Sequence, residues 1–143
     1  MLRTAIITFL AAACLATQAN AEIGRVKRAS GDAFIERAGA RIDAAPGVTV
    51  DANDVLVTGA DGKMSITFID NSRFSIGPES RVTLDRFEFN STTHEGDFET
   101  GVEKGSLAVI SGQIAKEAPD AMKVRTPTSI LGVRGTRFII EVD

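Results

Sequence analysis

Residues 63–76 read K-M-S-I-T-F-I-D-N-S-R-F-S-I and contain two alternating runs separated by a turn. In the first run Met64, Ile66 and Phe68 fall on one side of an extended chain, and polar residues fall on the other. Alternation over four to eight residues is typical of a half-buried β-strand. The D-N-S sequence at 70–72 is rich in residues that favour tight turns. The stretch therefore predicts a hairpin with one apolar face.

The same alternation continues on both sides of this hairpin. It recurs in residues 81–85 and 86–90 and, less strictly, in 137–142. Strands at roughly 8–12-residue spacing are typical of all-β folds, and Pro119 and Pro127 exclude a central strand through their own positions. We therefore predict a single all-β domain over residues 22–143, either a two-layer β-sandwich or a short β-solenoid-like roll.

Two segments depart from this pattern. Residues 112–118 are compatible with one helical turn, which Pro119 would end. Residues 92–102 contain few apolar side chains and several carboxylates. We expect this second segment to form an exposed loop or a long hairpin tip.

The amino terminus predicts export. A short positive region at Arg3 precedes an apolar stretch, which ends in the triplet Ala19-Asn20-Ala21. Small residues at Ala19 and Ala21 form the pattern that a signal peptidase accepts, and the apolar stretch is shorter than the ~20 residues of a stable membrane span. We predict a signal peptide over residues 1–21 and a mature chain that begins at Glu22, located in the periplasm or secreted.

Cys14 allows one competing interpretation, in which it becomes the lipidated first residue of a lipoprotein. Ala11 stands where such processing sites usually carry leucine, so the A-x-A site is favoured. Cleavage after Ala21 would remove the chain's one cysteine. The mature protein would then form no disulfide and fold by hydrophobic packing alone.

Charge and hydropathy exclude several kinds of partner. The net charge is −3, and acidic and basic residues are interspersed. Phosphate binding needs clustered Lys and Arg, so nucleic acid is not an expected partner. No second long apolar segment follows residue 21, so we expect no membrane span in the mature chain.

The sequence contains an ordered set of short motifs. They are the entry D-V-L-V-T at 54–58, the hairpin at 61–72, G-S-L at 105–107, and the closing T-P at 126–127 with V-R-G-T-R-F at 133–138. This ordered set resembles the FecR domain, the periplasmic β-rich module named after the ferric-citrate signalling regulator. The closing motif is the most specific part. The resemblance covers nearly all of the predicted mature chain.

The resemblance implies a module that binds something, most readily a protein. Asn71 replaces the glycine usual in the family's D-G-S turn, a mild change because Asn also tolerates positive φ. The signalling regulators carry a cytoplasmic anti-sigma segment and a membrane helix before this domain. Neither is expected here, so the family's transmembrane signalling role is not transferred directly.

The matching motif residues are predicted to have structural roles. Arg134 is expected to pair with a partly buried carboxylate, such as Asp70 or Asp54, and to join two corners of the fold. Gly135 is suited to a bulge or a close strand approach. The candidate motif residues are Asp54, Thr58, Gly62, Asp70, Thr126, Pro127, Arg134, Gly135, Thr136 and Phe138.

Catalytic and metal-binding chemistry is poorly supplied. His94 is the one histidine, in a polar segment, whereas a triad base must be buried and oriented. Zinc needs three or four ligands, and the acidic turn at 51–54 lacks the spacing of an EF-hand. Glu95, Asp97 and Glu99 alternate but lack supporting aromatic platforms. We predict no enzyme activity, no cofactor and no metal site.

We predict a non-catalytic exported protein that acts by binding another envelope protein, in envelope signalling or its regulation. Two alternatives stay open: a cell-wall or polysaccharide-binding module, and a structural subunit that binds itself. Residues 136–142 end almost at the carboxyl terminus, and we expect them to form an edge strand available for strand addition.

Overall fold

The computed structural model describes residues 21–134 and 137–143. Within these residues the chain forms twelve strands and one short helix, α1 (Gln113–Glu117). No helix in this described part combines the length and apolar character that a membrane crossing requires. The strands are β1 (Glu22–Ser30), β2 (Ala33–Arg37), β3 (Ala40–Asp43), β4 (Thr49–Asp51), β5 (Val55–Thr58), β6 (Lys63–Phe68), β7 (Arg73–Ile76), β8 (Arg81–Phe89), β9 (Gly96–Ile110), β10 (Met122–Arg125), β11 (Ile130–Gly132) and β12 (Arg137–Val142).

The hairpin predicted from residues 63–76 is present. β6 and β7 pair antiparallel, with Met64 opposite Ile76 and Thr67 opposite Arg73. Asn71 has a φ of 68° in the connecting turn, the conformation that an Asn tolerates at low cost. The apolar members of both strands are at most 2% exposed, so the period of two correctly identifies the buried face.

The 15-residue strand β9 organises the sheet. β7 pairs with residues 107–110 and β8 with residues 96–104, so these consecutive strands form two successive ladders along one edge of β9. The other edge carries β10, which is parallel to residues 98–101, and β12, which is antiparallel to residues 105–110. The remaining pairs are antiparallel.

The sheet curls on itself into a half-barrel around one hydrophobic core. One half of the sheet contains β1, β4, β6, β7 and β12. The other half contains β2, β3, β5, β8, β10 and β11, and β9 belongs to both halves. Phe68 and Phe74 from the first half contact Phe98 from the second, with ring centroids 4.8 and 5.3 Å away. The predicted all-β class is confirmed, in the form of one curled sheet.

The expectation of an exposed loop over residues 92–102 is wrong for most of that segment. The hairpin tip lies between Asn90 and Glu95, where the amide of His94 donates to the carbonyl of Asn90. From Gly96 onward the chain is the central strand β9, and Phe98 and Val102 are at most 1% exposed. The low apolar content of the segment is misleading because one of its buried residues is polar: Thr100 is 1% exposed, and its hydroxyl donates to the carbonyl of Thr83 at 2.6 Å.

The predicted helical turn is confirmed as α1, with Ile114 as its buried residue. Its first turn is tied to the β6–β7 hairpin, because the amide of Gln113 donates to the carbonyl of Asp70 at 2.7 Å. Pro119 follows the helix and prevents its continuation. The predicted signal peptide covers residues 1–21 and, except for Ala21, lies outside the described residues.

Candidate functional site

Asp54 is a buried carboxylate at the start of the motif-bearing region. Its side chain is 1% exposed and accepts two hydrogen bonds from the Arg37 guanidinium, at 2.8 and 2.7 Å. The amide of Asp51 donates a third, at 2.8 Å. Hydrogen bonding to Asp54 raises the pKa of Arg37. The pair joins the end of β2 to the β4–β5 turn, and sequence reasoning missed Arg37 because 17 residues separate the two partners.

Thr58 and Gly62 lie at the corner between β5 and β6. The Thr58 hydroxyl donates to the carbonyl of Gly77 at 2.6 Å and accepts from the amide of Ser80 at 3.0 Å. It thereby ties the β7–β8 connection to β5. A Cβ at position 62 would lie 2.1 Å from the carbonyl oxygen of Asp32, so only glycine permits this approach.

Asp70 is fully buried and its carboxylate is satisfied by the protein itself. It accepts from the amide and hydroxyl of Ser72, at 3.0 and 2.8 Å, and from the amide of Ile114 at 3.4 Å. The Ser72 hydroxyl in turn accepts from the amide of Gly112 at 3.1 Å. This network holds the β6–β7 hairpin against the beginning of α1.

The expected pairing of Arg134 with Asp70 or Asp54 is wrong. The Arg134 guanidinium lies 3.1 Å from Asp120, and the two side chains are 75% and 47% exposed. The buried carboxylates have other partners closer to their own turns. Arg134 therefore forms a surface ion pair, which contributes little to stability.

The remaining motif residues lie near the carboxyl terminus. The amide of Thr126 donates to the carbonyl of Ser129 at 2.8 Å, which forms the turn between β10 and β11, and the exposed Pro127 lies within it. Phe138 is half-buried and packs against the core. The roles predicted for Gly135 and Thr136 lie outside the described residues.

The groups considered for catalysis or metal binding have other surroundings. The His94 ring stacks on Phe89, with centroids 6.1 Å apart. Asp97 lies 3.6 Å from Arg86, and the carboxylates of Asp51 and Asp54 both face Arg37. Residues 21–134 and 137–143 contain no group of three or more His, Cys, Asp or Glu residues arranged to hold a metal ion.

The strand edges differ in the side chains that they present. Among the described strands, β3, β4, β11 and β12 each pair with one neighbour only. β3 carries the exposed charges of Arg41 and Asp43, a common protection against edge-to-edge pairing. β11 and β12 instead present Ile130, Leu131 and Ile139, which are 71%, 45% and 70% exposed. The β11 edge is therefore apolar, whereas β12 presents an apolar centre at Ile139 between the exposed Arg137 and Glu141.

Residues 54–143 match the model of a protein family described as FecR protein. Because this match covers more than half of the 143 residues, the chain belongs to the FecR family. The family is regulatory and non-enzymatic, and its domains are typically periplasmic. No curated protein and no solved structure matches the chain.

The match begins at Asp54, the first residue of the entry motif, and leaves out residues 22–53 of the predicted domain. The preceding segment is nevertheless built into the same sheet. β1 pairs with β6, β2 pairs with β5, and Arg37 supplies the partner of Asp54. The matched region thus shares one core with the strands that precede it.

Proposed function

We propose that this protein is an exported, non-catalytic FecR-domain module that acts by binding another envelope protein, in envelope signalling or its regulation. The observation that carries the proposal is the concentration of exposed apolar side chains on two open strand edges. Among the residues that the structure describes, three of the five exposed large hydrophobic side chains lie on β11 and β12. An exposed apolar edge is a template for strand addition, in which main-chain hydrogen bonds supply affinity and side-chain pockets supply specificity.

The motif residues support this function indirectly. Asp54, Thr58 and Asp70 each tie two chain segments together through hydrogen bonds. We assign them to stabilising the fold rather than contacting a ligand. A rigid sheet presents its edge at a lower entropic cost than a flexible segment would.

The polysaccharide-binding alternative is less well supported. Sugar sites commonly use exposed aromatic faces, and every phenylalanine among the described residues is buried or half-buried. Phe34 has the guanidinium of Arg41 over its ring, 4.0 Å from the centroid. Protein binding at the edges therefore remains the better explanation.

Site-specific crosslinking in living cells tests the proposal. A photo-crosslinking phenylalanine analogue replaces Leu131 or Ile139 in the full chain, and Ile69, which is 51% exposed outside the edge strands, serves as the matched control. We expect both edge positions to crosslink to a partner chain, and Leu131 to crosslink to an envelope receptor or a membrane-bound sigma regulator, identified by mass spectrometry. Equal crosslinking at Ile69 and at both edge positions would contradict binding through the edges.

Export is tested separately by sequencing the amino terminus of the processed protein. The proposed cleavage between Ala21 and Glu22 predicts a mature chain that starts at Glu22. A mature chain that starts at a lipid-modified Cys14 would instead establish the lipoprotein alternative. An unprocessed chain retained in the cytoplasm would refute export.

A further inference from the structure

We propose that a second copy of this chain occupies the open edge of β12, antiparallel and related by a two-fold axis at Ile139. The inference rests on the proposed function, strand addition at an open edge, and names the occupant of one edge. The β11 edge is left for a different partner. Three features carry the proposal: the free backbone groups of β12, its charge order and its exposed apolar centre.

The free backbone groups follow from the pairing of β9. The amide of Gly77 donates to the carbonyl of Ser106 at 3.1 Å, so the even-numbered residues in this part of β9 point their backbone groups towards β7. The odd-numbered residues, which include Leu107 and Val109, then point towards β12. Backbone directions alternate along each strand of an antiparallel pair.

The same alternation determines which groups of β12 are open. Ile140 pairs with Leu107 and Phe138 pairs with Val109, so these residues direct their backbone groups towards β9. Arg137, Ile139 and Glu141 therefore direct their N–H and C=O groups towards the unpaired edge. If the neighbour is a second β12 that runs antiparallel, its odd-numbered residues must lie opposite these three residues to pair with their N–H and C=O groups.

The side chains of β12 favour one register. With Ile139 opposite Ile139 of the second copy, Arg137 of each copy lies opposite Glu141 of the other. Opposite charges and apolar pairs in directly facing positions stabilise a sheet. A shift of two residues in one direction places Ile139 opposite Glu141, and the Arg–Glu pairs are lost.

The monomer leaves these side chains available. Ile139 is 70% exposed, and neither Arg137 nor Glu141 forms an ion pair with any residue that the structure describes. On the other face, Phe138 of one copy would lie opposite Ile140 of the second. Phe138 is half-buried and Ile140 is 8% exposed, so the contact extends the apolar face of each sheet.

The pairing surface is small. A stable protein–protein interface commonly uses about 20–30 residues on each side, many more than one six-residue strand provides. We therefore expect a reversible dimer whose population rises with protein concentration, rather than an obligate one. The measurement must accordingly cover a range of concentrations.

Sedimentation velocity of the purified protein, expressed from the full chain and with its affinity tag removed, tests the dimer. We expect the wild type to shift from monomer to dimer as concentration rises. Ile139→Lys places two ammonium groups opposite each other at the two-fold axis and should abolish the shift. Ile69→Lys, an equally drastic change at an exposed isoleucine outside the edge, should leave it intact.

Charge exchange tests the register. In the Arg137→Glu variant, positions 137 and 141 both carry carboxylates. In the Glu141→Arg variant, both positions carry guanidinium groups. Each variant alone should dimerise at least tenfold more weakly than wild type, because like charges lie directly opposite each other. An equimolar mixture should recover dimerisation, because every facing pair in the mixed dimer again joins opposite charges. Circular dichroism and thermal melting confirm that each variant folds.

The outcomes separate this inference from the proposed function. A wild type that stays monomeric at all concentrations, an Ile139→Lys variant that still dimerises, or a mixture that stays monomeric would each overturn the dimer in this register. Crosslinking of Leu131 to an envelope protein would still support the proposed function. If neither edge crosslinks to any protein, the proposed function itself fails.

Discussion

At the residue scale, buried carboxylates tie distant turns together. Asp54 accepts three hydrogen bonds, and two come from Arg37, whose side chain is 30% exposed. A buried carboxylate of this kind is stable only while its donors are present. Arg37 and Asp54 therefore hold the beginning of the FecR-matched region against the strands that precede it.

Asp54→Asn should lower the free energy of unfolding by about 2–4 kcal/mol, because it removes the charge that Arg37 and the amide of Asp51 both stabilise. Urea denaturation measures this loss. Asp43→Asn is the matched control, since the Asp43 side chain is 82% exposed in its pair with Arg41 and its loss should leave the midpoint unchanged. Similar midpoints for both variants would show that the Asp54 pair does not stabilise the fold.

Asp51 should make stability depend on pH. Burial raises the pKa of the Asp51 carboxyl and outweighs the lowering by Arg37. Because its folded-state pKa lies above the unfolded-state value, ionised Asp51 reduces stability at neutral pH, and this cost disappears as pH falls through the raised folded pKa. Asp51→Asn should therefore be more stable than wild type at neutral pH and lose that advantage towards pH of about 4.

Urea denaturation of both proteins over a pH series checks this expectation. The difference in unfolding free energy between Asp51→Asn and wild type should be largest at neutral pH. A difference that grows as pH falls would reverse the sign and show that the interaction with Arg37 dominates. The exposed Asp43→Asn variant should show no comparable trend.

At the element scale, β9 must change direction where it passes from one half of the sheet to the other. Gly105 lies at this point with a φ of +90°, between the stretch that pairs with β8 and the stretch that pairs with β7. A Cβ there would lie 2.1 Å from the hydroxyl oxygen of Ser80. Backbone strain and a steric clash therefore coincide at one residue.

Gly105→Ala should lower the free energy of unfolding by about 3 kcal/mol or more, because the conformational penalty adds to the displacement of Ser80, whose hydroxyl accepts a hydrogen bond from the amide of Ser106. Gly39→Ala is a direct comparison, because Gly39 also has positive φ, +78°, but nothing lies within 4 Å of its added Cβ. Its cost should be about 1–2 kcal/mol, the penalty for placing an L-residue in the left-handed conformation. Equal losses in thermal stability would show that the close approach to Ser80 is unimportant.

At the scale of the whole molecule, a cluster of phenylalanines joins the two halves of the curled sheet. Phe98 is fully buried and contacts Phe68, Phe74 and Phe87, with centroid distances of 4.8, 5.3 and 4.8 Å. The rings meet edge-on or stacked, which adds to the free energy of burying their surface. Phe98 is therefore the central packing contact between the halves.

Phe98→Ala should destabilise the protein by about 3–5 kcal/mol, because the cavity opens where both halves meet and neither can close it alone. Phe34→Ala should cost much less, since Phe34 is half-buried beneath Arg41 rather than enclosed. Denaturant unfolding followed by circular dichroism compares the two. A Phe98→Ala loss as small as that of Phe34→Ala would place the main contact between the halves elsewhere.

The sequence by itself determined the strand class, the buried faces and several turns. Alternation at Met64, Ile66 and Phe68 predicted burial correctly, because the side-chain period of a strand is a local property of extended backbone. The turn at Asn71 was also predictable because asparagine tolerates positive φ. The end of α1 before Pro119 was predictable because proline lacks an N–H donor and its ring clashes with the preceding helical turn. The order of the short motifs identified the family.

Only the tertiary structure decided which strands pair and which edges stay open. Arg37 as the partner of Asp54, Asp120 as the partner of Arg134, and Phe98 as the centre of the core all depend on contacts between residues far apart in the chain. Pairing depends on how the whole sheet curls, and no local pattern contains that information. The sequence predicted an edge strand at 136–142 from its position near the carboxyl terminus. Only the curled sheet shows which backbone groups of β12 remain unpaired.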